Sequence, residues 1–362
     1  MKKRAGRRPA RAVLCAAMAL MLLGGCAGQT ADEEAGAPAE SEAQEDPIRI
    51  GLSFDSFVIE RWLRDRDVFV STAQSLGAEV NVQNANGIVE EQCEQIRYLV
   101  GKGMDVIAVV AIDGGELREV IAEAQRAGVK IVCYDRLIPH VGADLYISFD
   151  NTRVGELMGE ALIEALPDGG SVLEILGSSS DNNVAQVREG FERTLEGTDI
   201  EIVYTSYCTN WLAELAFDAV NTGLERSGGT ADAVMCGNDD LAGQAIRALT
   251  EHKMAGTVPV VAQDADLAAC QRIIEGTQTM TVYKSVEKEA EMAARYAVAL
   301  AQGRDITDPD EESPVTAVIS DGTQEIPYCA LEPVAVTAEN LDEVIIDSGF
   351  HAREDVYRNT EY

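Results

Sequence analysis

Short apolar runs alternate with longer amphipathic segments over residues 48–302. The runs DVIAVVA (105–111) and VKIVCY (129–134) are almost continuously apolar, which is typical of parallel strands buried on both faces of a sheet. The longer segments have the length and the apolar period of helices. Predicted strands lie at 48–54, 78–83, 105–111, 129–134, 144–150, 171–176, 200–206, 232–236, 258–262 and 279–284, and predicted helices at 58–76, 88–102, 115–127, 153–166, 183–196, 211–226, 239–251, 266–275 and 285–302. This alternation predicts an α/β fold with two doubly wound parallel-sheet domains in tandem, joined by a hinge.

The alternation of strands and helices starts again after the predicted strand at 144–150, and this restart sets the boundary between the two domains. The helix at 285–302 could pack on either unit, and the run PVTAVIS (314–320) is expected to carry the chain back across the hinge. We assign the domains as follows: an N-terminal domain of 48–151 plus about 285–318, and a C-terminal domain of 152–284 plus about 319–362.

The first 26 residues have the pattern of an export signal. A basic stretch precedes an apolar run at 12–23, which is too short for a spanning helix in the mature protein. The run ends in LGGC (23–26), which resembles the bacterial lipoprotein box and predicts a lipid on Cys26; the alternative is an ordinary cleaved signal. Residues 27–47 lack aromatic residues and are rich in Ala, Glu, Gly and Pro, so we expect a disordered acidic tether. The expected location is extracytoplasmic, at the cell membrane.

Charge and motif content exclude several classes of function. The formal net charge of −33 argues against nucleic-acid and anionic-lipid partners, because the long-range field repels both. The cysteines after the box show no C-x-x-C spacing, so we expect no zinc or other metal and no cofactor. Disulfide pairing stays open, with Cys133 and Cys236 expected to be buried thiols. No G-x-S-x-G or G-x-G-x-x-G motif is present, and we expect a monomeric protein that is not an enzyme.

Polar and aromatic side chains follow most of the predicted strands. In open parallel sheets, ligand-binding groups collect beyond the carboxyl ends of the strands. An isolated Asp or Asn at such a position is usually a helix N-cap, but here the pattern recurs in both units. The chain's two tryptophans, Trp62 and Trp211, fall at equivalent places. The strand-end residues are Asp55, Arg61, Trp62, Tyr134, Asp135, Arg136, Asp150, Asn151, Asp181, Asn182, Asn183, Tyr207, Trp211, Asn238, Asp239, Gln263, Asp264, Asp266 and Lys284.

This mixture of groups suits a neutral pyranose. Aromatic faces cover the C–H patches of a sugar ring, while Asp accepts, Asn both donates and accepts, and Arg donates in a planar fork. An anionic ligand would instead require donors only. Within ERWLRDRD (60–67), the i, i+4 pairs Glu60–Arg64 and Arg61–Asp65 predict a weakly paired, solvated helix face. Arg61 and Trp62 have a second expected role, because they start the helix at the carboxyl edge of the first strand, opposite Trp211.

Several strings resemble one protein family, and together they cover roughly 48–352. They are ERWLRDRDVFV, SLGAEVNVQNANG, YDRLI, YISFDNTRVGE, GSSSDNN, NDDLAG, QDADLA, GTQTMTVYK and GFH. They resemble the D-xylose-binding proteins of ABC transporters, a ribose/xylose type of periplasmic sugar-binding protein. The resemblance implies the type I periplasmic binding protein fold, with three crossings between two domains that close on the sugar.

The resemblance also implies which residues contact the sugar. Trp62 and Trp211 would sandwich the ring, Asp135 and Arg136 would grip hydroxyls from the first domain, and Lys284 would stand at a crossing. Two departures from the family pattern are Tyr207, where the family has another Trp, and the stretch SFDSFVI (53–59). The implied sugar-binding residues are Arg61, Trp62, Asp135, Arg136, Asn183, Trp211, Asn238, Asp264 and Lys284.

The resulting hypothesis is a lipid-anchored binding protein that captures a monosaccharide, D-xylose or another aldose, and delivers it to an ABC permease and its ATPase. A membrane-tethered sensor that presents the sugar to a signalling receptor is the alternative. A sugar-responsive repressor shares this fold type, but the export signal stands where a DNA-binding headpiece would be.

Overall fold

The computed structural model describes residues 47–59 and 61–360, and the predicted signal peptide with Cys26, most of the tether (27–46) and Glu60 lie outside these ranges. The strands are β1 (Arg49–Phe54), β2 (Glu79–Asn84), β3 (Val106–Val109), β4 (Lys130–Tyr134), β5 (Leu145–Phe149), β6 (Gly170–Leu176), β7 (Ile200–Tyr207), β8 (Ala233–Cys236), β9 (Val260–Val261), β10 (Thr281–Tyr283), β11 (Ala317–Ser320), β12 (Glu325–Leu331) and β13 (Val334–Val336). The helices are α1 (Arg61–Ser75), α2 (Val89–Gly101), α3 (Arg118–Arg126), α4 (Asn151–Ala165), α5 (Asn182–Leu195), α6 (Glu214–Arg226), α7 (Asp239–Glu251), α8 (Leu267–Ile274), α9 (Val286–Ala301) and α10 (Arg353–Val356).

The first sheet has seven strands in the order β11-β12-β5-β4-β3-β1-β2. Its neighbouring strands are parallel, except that β11 runs antiparallel to β12. The interior strand β3 is buried along its whole length, and its side chains alternate between two apolar clusters. One cluster includes residues of α1 and α9 and the other residues of α2 and α3, so helices cover both faces. This is the doubly wound arrangement that the apolar runs predict.

The second sheet repeats this plan with fewer strands. Strands β7-β6-β8-β9 are parallel neighbours. A parallel bridge between Val261 and Met280 continues the sheet to β10, which pairs antiparallel with β13. Helix α4 packs near β9, β10 and β13, while α6 contacts β6 and β7. The predicted α/β class with two tandem parallel sheets is confirmed.

The chain crosses between the sheets three times: from β5 to α4, from β10 to α9, and from β12 to β13. Helix α9 packs on strands of the first sheet, and β12 pairs with β5. Residues 319–331 therefore lie in or beside the first sheet and not in the second domain, where the sequence analysis expected them. We propose a first lobe of 48–150 with 286–331 and a second lobe of 151–284 with 334–360.

Several element boundaries differ from the sequence-based prediction for local reasons. Asn210 and Trp211 have φ values of 53° and 58°, so a short 3₁₀ turn (Thr209–Trp211) precedes α6, which begins at Glu214 and not at 211. Helix α1 begins at Arg61 and not at 58. Strands β12 and β13 were not predicted from the sequence, because Pro327 within β12 argues against a strand and β13 has only three residues. It also missed a π-helical segment (Asp342–Ile346) and α10.

The six cysteines among the described residues carry free thiols. Cys133 and Cys236 are fully buried, as predicted. Burial raises the pKa of the Cys133 thiol to about 12, which keeps it protonated and unreactive at neutral pH. Within the described ranges, none of the helices combines the length and the apolar character that a bilayer span requires.

Helices α4 and α5 touch through glycines, which makes this contact a sensitive test of the packing. A Cβ atom at Gly155 would overlap the carbonyl oxygen of Val187 and lie 2.7 Å from the backbone nitrogen of Phe191. We expect Gly155→Ala to lower the free energy of unfolding by about 1–3 kcal/mol, because backbone cannot yield as a flexible side chain does. Urea denaturation measures the change.

The matched control for this variant is Gly101→Ala at the end of α2, where an added Cβ meets nothing within 4 Å. Ala is the better helix former, so this variant should be as stable as the wild type or slightly more so. Equal stability of Gly155→Ala and the wild type would contradict the packing described for α4 and α5.

Candidate functional site

A cavity lies between the lobes, beyond the carboxyl ends of the strands of both sheets. It contains about 340 Å³ of space not filled by protein atoms, part of it continuous with solvent. All of the predicted sugar-binding residues line it. The lining consists of Ile59, Arg61, Trp62, Asp135, Arg136, Asn151, Asp181, Asn183, Trp211, Asn238, Gln263, Asp264 and Lys284. The predicted residues of both lobes are therefore brought together around one space.

Arg61 opens α1 and is held by three buried carboxylates. Its Nη1 donates to Asp135 at 2.9 Å, and its Nη2 donates to Glu289 at 2.6 Å. Nε and Nη2 also donate to Asp65, at 3.3 and 3.1 Å. Arg61 and Asp65 are both buried, so the solvated i, i+4 pair expected from the sequence is wrong for these two residues. Their pairing occurs inside the lobe, where the low dielectric strengthens it.

Two cations lie close to the indole ring of Trp62. The Arg61 guanidinium lies 4.3 Å from the ring centroid and that of Arg136 lies 5.6 Å from it. The ring is 2% exposed and packs against Phe54 at 6.0 Å between centroids. Its Nε1 has no hydrogen-bond partner within the described part of the chain. Trp62 thus presents a fixed aromatic surface and an unused donor at the cavity.

Asp135 and Arg136 follow β4 in a strained turn. Asp135 has a φ of 60°, in the left-handed region that non-glycine residues rarely adopt. The next residue, Arg136, donates from its Nη1 to Asp55 at 2.8 Å and to the Ala111 carbonyl at 3.0 Å. Its Nε forms an ion pair with Asp181 at 2.8 Å. Arg136 therefore links the first lobe to the second.

A second direct link joins Asn183 at the start of α5 to the first lobe. Its Nδ2 donates to the Asp135 carboxylate at 2.9 Å and to the Asp135 carbonyl at 3.0 Å. The hydroxyl of Tyr146 donates to Asn183 Oδ1 at 3.4 Å. These contacts, with the Arg136–Asp181 pair, hold the two lobes together across the cavity.

Trp211 belongs to the second lobe, where a hydrogen bond to Asp181 and a close contact with Gly177 hold its ring. Its Nε1 donates to Asp181 Oδ2 at 3.2 Å. A Cβ atom at Gly177 would overlap the six-membered ring of the indole, so the ring lies directly on the backbone after β6. Tyr207, the predicted departure from the family pattern, does not line the cavity; its hydroxyl accepts from Arg188 on the lobe surface.

The rest of the second lobe contributes amides and an ion pair. Asn238 caps α7 by accepting from the backbone of Leu241 at 3.0 Å. Its Nδ2 is left without a partner in the described chain, as is Oε1 of Gln263. Lys284 pairs with Asp264 at 2.7 Å. Asp264 has a φ of 103°, a second strained position at the cavity wall.

The acidic groups of the cavity respond differently to their surroundings. Burial alone would raise the pKa of Asp135, but the charges of Arg61, Lys284 and Arg136 outweigh burial and lower it. Burial raises the pKa of Asp181, and Arg136 offsets this only in part. Asp135 is therefore the firmly ionised acceptor at the centre of the site.

Five groups in this site or next to it were missed or given no role in the sequence-based prediction. Asn151, Asp181 and Gln263 occupy predicted strand-end positions but were not among the implied sugar-binding residues. Ile59 carries no polar signal. Glu289 lies 228 positions from Arg61, so no local spacing indicates their contact.

The unused groups around the cavity define what it can bind. Trp62 Nε1 and Asn238 Nδ2 are donors, and Gln263 Oε1 is an acceptor. Buried polar atoms without partners are costly, so these three favour a ligand that both donates and accepts. No group of three or more His, Cys, Asp or Glu side chains within the described ranges is arranged to hold a metal ion. The site suits a compact, neutral, hydroxyl-rich molecule.

Comparison with known proteins agrees with this geometry. The family model of the periplasmic binding protein domain matches residues 50–305. The D-xylose-binding periplasmic protein of Haemophilus influenzae is 39% identical over 321 residues, which cover 88% of this chain and 94% of that protein. The protein of the same description from Escherichia coli is 38% identical and covers 85% of this chain and 92% of its own length.

Solved structures share the fold. A carbohydrate transporter solute-binding protein from Chloroflexus aurantiacus in complex with D-glucose has a TM-score of 0.76 at 25% identity, covering 84% of this chain and 97% of that one. An ABC transporter solute-binding protein from Clostridium phytofermentans with bound β-D-glucose has a TM-score of 0.75 at 27% identity, covering 85% and 99%. These relatives are solute-binding proteins and not enzymes. With its type I fold and its two-lobed site, this chain belongs to the periplasmic binding protein family and, within it, to the sugar-binding proteins of the ribose/xylose type.

Proposed function

We propose that this chain is a lipid-anchored extracytoplasmic binding protein that captures D-xylose between its lobes and delivers it to an ABC permease and its ATPase. The observation that carries the proposal is the cavity itself, in which two tryptophans and unused donors and acceptors from both lobes converge. The relatives named for D-xylose binding, at 38–39% identity over most of the chain, support the choice of sugar.

The binding mechanism follows from the two-lobed construction. Sugar can contact groups of both lobes at once only when the cleft is closed, so its binding shifts the equilibrium towards closure. Direct links such as Asn183 to Asp135 already bridge the lobes. The sugar would add contacts to Trp62, Asn238 and Gln263, whose polar atoms are otherwise unpaired. The permease would then recognise the closed form.

The choice of a pentose rests on the relatives. The two proteins named for D-xylose binding are 39% and 38% identical to this chain, whereas the solved structures with bound glucose are 25% and 27% identical. We therefore place an aldopentose ahead of an aldohexose. No observation on this chain favours the sensing alternative over transport.

Calorimetric titration against a panel of aldoses tests the function. We expect D-xylose to bind more tightly than D-glucose, D-galactose and L-arabinose, because its ring lacks a hydroxymethyl group and carries equatorial hydroxyls throughout. Stronger binding of D-glucose would correct the specificity alone. The sugar-binding proposal is falsified if no pentose or hexose gives a signal at high micromolar concentration.

A second test concerns Trp211, one of the two tryptophans that line the cavity. Trp211→Ala should weaken D-xylose binding about tenfold or more, because the ring loses a large contact face. Tyr207→Ala is the matched control, since Tyr207 is an aromatic residue of the same lobe that lies outside the cavity; its affinity should equal that of the wild type. Equal affinities for both variants would remove Trp211 from the site.

The anchor is tested separately. Mass spectrometry of the protein purified from membranes should find a lipid on Cys26, because LGGC (23–26) has the pattern of a lipoprotein box. Two or three acyl chains, each CH₂ contributing about 0.8 kcal/mol on burial, hold a soluble domain at a bilayer. Cys26→Ser should release the protein from the membrane fraction. An unmodified N-terminus elsewhere in the chain would refute the anchor.

A further inference from the structure

Glu289 is a buried acid that contacts the cavity residue Arg61. It lies in the first turn of α9, just after the second crossing, and its side chain is 0% exposed. It is not part of the cavity lining. Its Oε2 accepts from Arg61 Nη2 at 2.6 Å, which is the shortest of the hydrogen bonds that Arg61 makes.

The donors of Arg61 are almost all used by the protein. A guanidinium group carries five N–H bonds in a fixed fork. Asp65 takes Nε–H and one Nη2–H, Glu289 takes the other Nη2–H, and Asp135 takes one Nη1–H. One Nη1–H remains for a ligand. The orientation of the whole group therefore decides where that single hydrogen points.

Three elements of the first lobe fix this orientation. Asp65 belongs to α1, Asp135 follows β4, and Glu289 belongs to α9, which packs on the first sheet. All three acids belong to the first lobe, and of the three only the Asp135 carboxylate also accepts from the second lobe within the described chain, through Asn183. Arg136 differs, because its partner Asp181 lies across the cleft. The fork of Arg61 is thus held by acids of its own lobe.

We propose that Glu289 is a positioning residue for sugar recognition: it holds the Arg61 fork against the Trp62 ring, so that one Nη1–H is aimed into the cavity. This inference rests on the proposed sugar-binding function. It assigns a role to a residue that neither lines the cavity nor lies near Arg61 in the sequence.

The charges around Glu289 indicate what the position requires. Arg61 faces three acids here, of which Asp135 is also near Lys284 and Arg136, so the one guanidinium group must serve both Asp65 and Glu289. Burial raises the pKa of Glu289, the charge of Asp135 raises it further, and Arg61 offsets these only in part. Glu289 Oε1 has no hydrogen-bond partner in the described chain. A neutral side chain of the same length that accepts a hydrogen bond from Arg61 should therefore be able to replace Glu289 at this position. The titratable groups that face Glu289 are Arg61, Asp65, Tyr134, Asp135, Tyr328 and Cys329.

Two conservative variants of Glu289 show whether sugar binding depends on the position of its acceptor oxygen or on its negative charge. Glu289→Gln keeps the length and an acceptor oxygen, so it should bind D-xylose within about threefold of the wild type. Glu289→Asp keeps the acid but withdraws the carboxylate by one methylene, so it should lose about tenfold in affinity. The reverse order, with Asp tolerated and Gln not, would overturn the proposal in favour of a charge requirement.

A double-mutant cycle shows whether Glu289 acts through Arg61. Arg61→Lys removes the fork but keeps a cation. Glu289→Asp should therefore cost about tenfold in the wild-type background and little in the Arg61→Lys background. Equal costs in both backgrounds would mean that Glu289 acts on the fold and not on Arg61, and the proposal would fail.

Controls keep the outcomes distinct. Glu291→Gln is the matched variant, because Glu291 is exposed on the same helix and pairs with Arg295; its affinity for D-xylose should not change. Circular dichroism and thermal unfolding confirm that each variant is folded. Failure of the wild-type protein to bind any sugar would overturn the proposed function, and this inference with it. Binding by the wild type with no loss in Glu289→Asp would overturn the inference alone.

Discussion

The cost of burying charge organises the centre of this protein. Ionised side chains are stable inside a protein only when partners of opposite charge and hydrogen bonds replace water. Arg61, Arg136 and Lys284 are all buried, and each reaches at least one carboxylate within 3 Å. The strands, turns and helix starts around the cavity are placed so that these partnerships are met. Among the unpaired buried side-chain atoms of the described chain, Trp62 Nε1, Asn238 Nδ2 and Gln263 Oε1 belong to residues that line the cavity.

The two lobes contribute to the site in different ways. The first lobe holds Arg61 by its own side chains, so this part of the site is complete without closure. Contacts across the cleft involve Asn183 and Arg136, whose partners lie in the opposite lobe. A ligand therefore meets a surface that the first lobe holds by itself and a second surface that is completed only when the lobes close. This division suits a protein that must bind its solute and also release it.

The sequence predicts the parts of this structure that depend on local pattern. Apolar runs such as β3 locate the strands, and the rule that ligands collect at strand ends locates Asp135 and Asn238. Contacts between distant segments are not encoded locally, and Glu289 and the pairing of β12 with β5 belong to that class. Asp65 had a visible i, i+4 signal, but spacing alone does not tell a buried pair from a solvated one. Resemblance to a family supplied the choice among the strand-end residues.

Left-handed backbone conformations gather at the cavity: Asp135, Asn210, Trp211, Asp264 and Ala265 all have positive φ. Each such position costs of order 1–3 kcal/mol, which the surrounding structure must offset. Glycine would relieve the backbone cost at these positions. At Asp135 and Asp264 it would also remove carboxylates that pair with the buried Arg61 and Lys284, and at Trp211 it would remove a buried indole. Each of these losses costs about 3–5 kcal/mol, which is more than the strain that glycine would relieve. A laboratory selection for heat resistance alone would therefore keep these strained side chains, even where no ligand is selected for.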